Sequence, residues 1–233
     1  MYKRIVLKLS GEALANKSGG RYDDEVVGDI ISQIKEIIEM GTQVSLVVGG
    51  GNYWRGRSAD SGMDRTKADH MGILATIMNG LYLCDALRQK GISARVMTPF
   101  KVGTITEEFS KDAALACLNN GEVVVFAGGT GHPFFSTDSI TALRGAELEA
   151  DALFFAKNID GVYDKDPNLF PEAQKIEEIK CGDIIKNNLK VIDLTAASIC
   201  ADEKIPVLIF ALNEKDSIIR GVKGEKTGTL VTV

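Results

Sequence analysis

Residues 123–148 read VVVFAGGTGHPFFSTDSITALRGAEL, and this stretch decides the fold because it joins a strand pattern to a helix pattern. The apolar run at 123–126 predicts a buried strand, and the periodic apolar residues at 140–148 predict a helix. Between them lies a loop rich in glycine and hydroxyl groups, whose backbone N–H groups would stand beside a helix N-terminus, where anions bind. Phe134 and Phe135 add flat apolar surface. The loop therefore predicts a pocket for a ligand both charged and planar, such as a nucleotide.

The alternation of strand and helix patterns continues on both sides of this stretch. The sequence predicts strands at 4–9, 44–48, 94–97, 123–126 and 153–156, and helices at 26–40, 64–88, 107–118 and 140–148. Asp23 or Asp24 is predicted to cap the first helix, and Gly41 to end it. Such alternation is typical of an α/β protein with a parallel sheet.

The pattern changes after about residue 157, where a turn-rich stretch at 157–171 is followed by shorter elements. Helices are predicted near 195–202 and 217–222, and strands at 207–210 and 229–231. We expect a single domain of 1–233 with two lobes that share a sheet, divided at about 156 and 157.

Composition excludes several classes of protein. The 27 basic residues are scattered along a chain of net charge −5, which argues against nucleic-acid binding. No apolar run approaches the roughly 20 residues that span a bilayer, and no signal peptide precedes the first strand, so no membrane association and a cytoplasmic location are expected. The four cysteines are far apart in sequence, which favours reduced thiols.

A phosphate site must be built without the common nucleotide fingerprints, since neither a P-loop nor a G-x-G-x-x-G turn occurs. Lys8 ends the first predicted strand, where it can reach a transferring phosphate, and Ser10 and Gly11 follow with N–H donors. A surface lysine before an ordinary turn is the alternative.

Three consecutive glycines follow the second predicted strand, at 49–51. Glycines contribute no packing, and close approach of the backbone to a ligand is a common reason for them. Arg55 lies just beyond, where its guanidinium can bind phosphate oxygens. The alternative is a tight connection between strand and helix.

Two further candidates are carboxylates that suit sugar hydroxyls. Asp69 lies near the start of the helix predicted at 64–88, and a solvated surface carboxylate is the alternative. In the turn at 158–167, Tyr163 can cover a base and Asp166 can hold a sugar, against the alternative of a plain polar loop. The two histidines, His70 and His132, are too far apart in sequence to suggest a zinc site.

Taken together, these stretches resemble the amino acid kinase superfamily and, within it, the bacterial uridylate (UMP) kinases. Six motifs occur in the family's order over nearly the whole chain: KLSGEAL at 8–14, GGGNYWRG at 49–56, DHMGILAT at 69–76, GTGHPFFSTD at 129–138, DGVYDKDP at 160–167 and KVIDLTA at 190–196. The third and fourth are distinctive of uridylate kinases. The resemblance implies a three-layer αβα sandwich around a mostly parallel sheet.

The resemblance also implies a role for each matching residue. Those implied to bind ATP are Lys8, Leu9, Ser10, Gly11, Gly51, Arg55, Asn158, Tyr163 and Asp166. Those implied to bind UMP are Gly50, Asp69, Thr130, Gly131, His132, Pro133, Phe134, Phe135, Ser136 and Thr137. Those implied to be catalytic are Lys8, Arg55, Asp138 and Asp193.

The implied reaction is direct transfer of the γ-phosphoryl group of ATP to UMP, in pyrimidine nucleotide biosynthesis. Mg²⁺ would bridge the nucleotide phosphates with few dedicated protein ligands. The resemblance implies a homohexamer, and some relatives are activated by GTP and inhibited by UTP. The stretch 16–23 departs from the Gly-Phe-Gly-type loop of GTP-regulated relatives, which leaves GTP activation open.

Two alternatives share this fold. One is a kinase that forms acyl phosphates from carbamate or an amino acid, which would not need the wall of Phe134 and Phe135 or a ribose ligand at Asp69. The other is a non-catalytic ATP binder like the molybdenum storage protein, in which we would expect no intact lysine or uracil loop.

Overall fold

The computed structural model describes residues 1–15, 20–54, 62–165, 167, 169–187, 189 and 191–233. Its strands are β1 (Arg4–Leu9), β2 (Gln43–Val48), β3 (Ala94–Thr98), β4 (Glu107–Glu108), β5 (Val123–Phe126), β6 (Ala152–Lys157), β7 (Val162–Tyr163), β8 (Lys175–Ile176), β9 (Glu178–Lys180), β10 (Val207–Ala211) and β11 (Thr229–Thr232). Its helices are α1 (Asp24–Glu39), α2 (Arg65–Gln89), α3 (Lys111–Asn119), α4 (Thr137–Glu147), α5 (Cys181–Lys186), α6 (Leu194–Asp202) and α7 (Ser217–Lys223).

Nine of the described strands form one sheet in the order β4-β3-β5-β2-β1-β6-β10-β11-β9. All its pairs are parallel except β10 with β11. The carboxyl ends of β1, β2, β5, β6 and β10 therefore meet at one edge. The chain winds outward from β1 through β2 and then returns to place β6 on the other side of β1. In open α/β sheets, ligands bind at such a reversal.

Helices cover both faces of the sheet, which confirms the three-layer αβα prediction. Ile5, Leu7 and Leu9 of β1 pack in one core with α1, α2 and α7. Val6 of β1 packs in a second core with α3, α4, α5 and α6. Because side chains alternate along a strand, Lys8 points to the same face as Val6. That face carries α4, which begins next to the carboxyl end of β1.

The first helix shows how closely local sequence signals predict structure here. Asp23 caps α1, and its Oδ1 accepts hydrogen bonds from the backbone N–H groups of Glu25 at 3.1 Å and Val26 at 3.2 Å. Gly41 follows the helix with φ of 93°, a conformation that favours glycine. Asp23 was one of the two predicted caps, and the predicted stop at Gly41 is confirmed.

The structure corrects the helix predicted at 107–118. Glu107 and Glu108 form the edge strand β4 beside β3, and the helix begins only at Lys111. Ser110 starts it, because its hydroxyl accepts the N–H of Ala113 at 3.2 Å. The apolar periodicity therefore predicted the start of the helix several residues before this cap.

Beyond residue 157 the sheet continues rather than ending. β10, β11 and β9 extend it outward from β6, so this part of the chain completes the same sheet. The short hairpin of β7 and β8, the strand β9 and the helix α5 were not predicted.

Among the helices of the described residues, none is both long and apolar enough to cross a membrane.

Candidate active site

A mostly buried cluster of three charges lies at the carboxyl edge of the sheet. The Nζ atom of Lys8, on β1, is 3.1 Å from Oδ1 of Asp138. The Nζ atom of Lys157, the last residue of β6, is 3.5 Å from Oδ2 of the same carboxylate and also donates to the carbonyl of Val191. Lys8 is only 8% exposed, which excludes the surface-lysine alternative. We call these three residues the lysine–aspartate cluster.

Burial and charge act in opposite directions on the members of this cluster. Burial raises the pKa of Asp138, but the ammonium groups of Lys8 and Lys157 outweigh it and hold that pKa below the usual value. Burial lowers the pKa of Lys157, Asp138 opposes that shift, and Lys8 adds to it. With both lysines protonated, the cluster carries one net positive charge. It is therefore a mostly buried site that favours an incoming anion.

The turns that follow β1 and β2 pack directly on each other. A Cβ atom at Gly11 would lie 2.6 Å from the backbone N of Gly51 and 2.8 Å from the carbonyl oxygen of Gly49. A Cβ atom at Gly50 would lie 2.8 Å from the Cβ of Ala75 in α2. Contacts within the protein thus require glycine at 11 and 50, as the tight-connection alternative supposed. Contact of these turns with a ligand stays a prediction.

Most of the residues predicted to bind UMP do line one cavity, of about 150 Å³. Asp69 faces the loop at 129–137, and its Oδ2 accepts the N–H of Phe134 at 2.9 Å and Nε of Arg65 at 2.9 Å. Asp69 is therefore not a purely solvated carboxylate. The predicted residues that line this cavity are Gly50, Asp69, Thr130, His132, Phe135, Ser136 and Thr137.

The other three residues predicted for this site lie around the cavity rather than in its wall. Phe134 is 61% exposed and adopts φ of 71°, and its ring lies under the guanidinium of Arg65 at 5.2 Å. Gly131 approaches Pro99, and Pro133 follows it in the same loop. Trp54 was not predicted, yet it lines the cavity and donates from its indole nitrogen to the carbonyl of Ala68 at 2.8 Å.

A second cavity, of about 320 Å³, opens where β6 and β10 end. Asn158 and Asp160 line it, together with Ala211, the last residue of β10. Tyr163 stands beside it, and its hydroxyl donates to Oδ1 of Asp160 at 2.8 Å. Two predicted residues, Arg55 and Asp166, lie outside the described residues.

Chain connectivity joins the lysine–aspartate cluster to residues of both cavities. Thr137 lines the first cavity and directly precedes Asp138. Lys157 directly precedes Asn158, which lines the second. A positive centre whose chain neighbours line two separate cavities is suited to moving an anionic group from a molecule in one to a molecule in the other.

The family model of the amino acid kinase family matches residues 3–211 of this sequence. The chain belongs to the amino acid kinase family. It is similar to the crystal structure of a UMP kinase from Bacillus anthracis, with 36% identity and a TM-score of 0.96 over 99% of this chain and 96% of that one. A UMP kinase from Ureaplasma parvum has 36% identity and a TM-score of 0.93 over 100% of both chains. A uridylate kinase from Archaeoglobus fulgidus has 30% identity and a TM-score of 0.75, over 98% of this chain and 99% of that one.

In this amino acid kinase, Asp193 bonds α6 and the start of α4, and its charge also raises the pKa of Lys157 in the cluster. Its Oδ1 caps α6 by accepting the N–H of Ala196 at 2.7 Å. Its Oδ2 accepts the hydroxyl of Ser139 at 2.9 Å and that of Ser136. Both serines belong to the start of α4, which carries Asp138. The contacts describe a residue that positions α4, and its predicted catalytic role stays a prediction.

Lys157 is the charged site residue that the sequence analysis missed. It was interpreted only as the start of a turn-rich stretch, although it ends a run of buried strand residues, much as Lys8 lies near the end of β1. A lysine at the carboxyl end of a buried strand is the signal that would have identified it. In the part of the chain that the structure describes, no group of three or more His, Cys, Asp or Glu side chains could hold a metal ion.

Proposed function

We propose that this protein is a UMP kinase, which transfers the γ-phosphoryl group of ATP to UMP and gives UDP and ADP. The observation that carries the proposal is the mostly buried carboxylate of Asp138 between Lys8 and Lys157, in a cluster whose chain neighbours Thr137 and Asn158 line two separate cavities. Likeness to UMP kinases over nearly the full length of the chain supports the choice of acceptor. The product would serve pyrimidine nucleotide biosynthesis.

The first cavity would take UMP and the second the adenosine end of ATP. Asp69 lies at the first cavity, and its Oδ2 accepts the hydrogen bonds from Phe134 and Arg65. Its other carboxylate oxygen, Oδ1, suits a ribose hydroxyl. Asn158 lines the second. Residues up to about 156 would form the acceptor-binding lobe and those from about 157 the ATP-binding lobe.

Transfer between these cavities needs no general base. The acceptor is a phosphate whose second pKa is near 6, so it is mostly dianionic at pH 7. The demands are alignment of two polyanions and stabilisation of the charge on the transferring group. The ammonium groups of Lys8 and Lys157 supply fixed positive charge, and the N–H groups of the Ser10–Gly11 and 49–51 turns supply donors. Asp138 holds both lysines in place.

We expect Mg²⁺ to enter with ATP. The buried centre offers one carboxylate that two ammonium groups already share, which suits a metal held by substrate phosphates better than one held by protein ligands. Mg²⁺ commonly binds in this way and retains several waters. In that position the ion would neutralise charge on the phosphoryl oxygens.

Self-association is supported by an exposed apolar stripe on α2. Met71, Leu74 and Met78 are 40%, 55% and 45% exposed and recur at a spacing that places them on one face of the helix. A homohexamer is the proposed assembly, and analytical ultracentrifugation tests it.

Activation by GTP and inhibition by UTP remain predictions, and residues 16–19 lie outside the described residues.

The four cysteines are free and buried, which fits the proposed cytoplasmic location.

One assay separates this proposal from its rivals. ADP release is measured with Mg²⁺-ATP and UMP, carbamate or no acceptor. The proposal requires that UMP alone supports rapid release, with UDP as the second product. Preference for carbamate would identify an acyl-phosphate-forming kinase. ATP binding without turnover with any acceptor would identify a storage or binding protein.

A further inference from the structure

An amide side chain lies completely buried in the middle of α2, and each of its polar atoms is bonded. Asn79 is 0% exposed. Its Nδ2 donates to the carbonyl oxygen of Gly49 at 2.6 Å and to Oδ1 of Asn52 at 2.7 Å. Its Oδ1 accepts from Nδ2 of Asn52 at 3.1 Å and from the hydroxyl of Tyr22 at 2.9 Å. Asn79 and Asn52 thus form a reciprocal amide pair.

These bonds hold the glycine turn at both ends. Gly49 precedes Gly50 and Gly51, and Asn52 follows them. Glycines have no side chains with which to anchor themselves, so the direction of their N–H groups depends on what holds the flanking residues. The amide pair also packs against the neighbouring turn, because a Cβ atom at Gly11 would lie 2.6 Å from Oδ1 of Asn52. One buried side chain is therefore bonded to both ends of the glycine turn, and its partner Asn52 contacts the second turn proposed to face the transferring phosphate.

A buried amide is an unusual choice unless its geometry matters. An apolar residue in the middle of a helix would leave no polar group to satisfy, whereas an amide must find a partner for each donor and acceptor. A fully satisfied polar network specifies one arrangement of its members more narrowly than apolar packing does. Asn79 meets that condition.

The network continues outward to the segment just before α1. Tyr22 donates to Asn79, and its ring stacks on that of Tyr82, with centroids 3.5 Å apart and planes inclined by 9°. The hydroxyl of Tyr53 donates to that of Tyr22 at 3.3 Å. Nδ2 of Asn52 also donates to the carbonyl of Arg21 at 3.0 Å. Residues 21 and 22 are thereby joined to the glycine turn.

We propose that Asn79 is a positioning residue for phosphoryl transfer, and that Tyr22 is its outer support. Asn79 aims the N–H groups of the two turns at the phosphate that moves, and Tyr22 fixes the orientation of the amide. The inference rests on the proposed UMP kinase activity for its kinetic part. Its structural part, the hold on the glycine turn, stands independently of that activity.

The test compares Asn79→Ala and Tyr22→Phe with the matched control Tyr82→Phe. Tyr22→Phe removes the hydroxyl that bonds Asn79 and keeps the stacked ring. Tyr82→Phe also keeps the stack, and removes only a bond from its hydroxyl to Asp24.

Each variant is assayed for kcat, for the KM values of ATP and UMP, and for thermal stability. Amide hydrogen exchange is followed in the unliganded protein at Gly49, Tyr53 and Trp54, whose N–H groups are bonded within or beside the turn.

Asn79→Ala is expected to lower kcat by about 10²-fold, the scale of a displacement of about 1 Å in an active site. Tyr22→Phe should lower kcat by about threefold, and Tyr82→Phe should leave kcat unchanged. In the first two variants, exchange at the three amides should accelerate more than in the rest of the sheet. If Asn79→Ala does not fold, Tyr22→Phe against Tyr82→Phe still decides the question.

A purely structural role would give a different pattern. Lower thermal stability in the Asn79 and Tyr22 variants, with unchanged kcat below the transition and unchanged exchange at the three amides, would overturn the proposal. Absence of UMP phosphorylation in the wild-type protein would reject the proposed function instead, and the exchange measurements would still report whether Asn79 holds the turn.

Discussion

The lysine–aspartate cluster and the loop at 129–137 lie side by side and differ in how they are held. The cluster is mostly buried, and its members come from two central strands and the first turn of α4. The loop exposes Phe134 and Phe135 and is fixed by a few hydrogen bonds, including those to Asp69 and Asp193. Fixed charge can stabilise any phosphate that arrives. Under the proposed function, choice of the acceptor would then fall to the loop.

The largest expected effect of this division concerns the acceptor base. Uracil offers an N3–H donor and an O4 acceptor, whereas cytosine presents an N3 acceptor and an amino donor. Groups fixed in the loop cannot suit both patterns, and a site that hydrogen-bonds its substrate can discriminate by about 10⁴. We expect kcat/KM for UMP to exceed that for CMP by this order, measured with ATP and Mg²⁺ at one pH. A ratio within about tenfold would show that the loop does not read the base.

A change within the cluster should affect turnover rather than acceptor binding. Lys8→Ala is expected to lower kcat by about 10²–10³-fold, because a preorganised positive group acts where charge develops in the transition state. KM for UMP should change little. Lys111→Ala is the matched control, since Lys111 is an exposed lysine that pairs with Glu149. Near-normal turnover of Lys8→Ala would remove Lys8 from the mechanism.

A change on the loop side should do the reverse. Asp69→Asn is expected to raise KM for UMP by about 10- to 10²-fold, the range for one hydrogen bond to a charged group. KM for ATP should stay nearly constant, because the proposed contact is to the acceptor ribose. Deoxy-UMP should lose little further in this variant if the missing hydroxyl is the partner. Equal damage to ATP binding would place the effect in folding or elsewhere.

The smallest expected effect is a shift in pH dependence. The proposed role of Lys157 requires its ammonium form, so kcat is full below the Lys157 pKa and is lost as pH rises through it. Burial lowers that pKa, so we expect the decline of kcat to occur at a pH below 10.5, the ordinary pKa of a lysine. Asp138 opposes the shift, so Asp138→Asn should move the alkaline limb to lower pH. Glu149→Gln, at an exposed carboxylate, is the control and should leave the alkaline limb of the kcat–pH profile in place. An unmoved alkaline limb in Asp138→Asn would exclude Lys157 as the titrating group.

The sequence predicted the central sheet well for a physical reason. Parallel strands buried on both faces read as continuous apolar runs, and the predicted strands at 4–9 and 123–126 match β1 and β5 without error. At the outer edge this signal fails. The strand β9 has three residues, of which Ile179 alone is apolar, and its pairing with β11 depends on contacts distant in sequence.

The candidate site was predicted in its parts and not in its connections. Glycine turns, hydroxyl-rich loops and charged residues at strand ends are local patterns, so Lys8, Asp69 and the loop at 129–137 could be found. That one carboxylate, Asp138, joins two lysines 149 residues apart in the chain (Lys157 and Lys8) is set by the order of strands in the sheet. The buried bonds of Asn79 likewise depend on the packing of α2 against the glycine turn.

The most direct test of the division between charge and loop is base selectivity measured in Lys8→Ala. Values of kcat/KM for UMP and CMP are determined for the wild-type protein and for this variant under the same conditions. If the cluster stabilises transfer and the loop selects the base, both values fall by the same factor and their ratio stays constant. A ratio that changes by more than about tenfold would show that the two regions do not act separately, and would contradict the account.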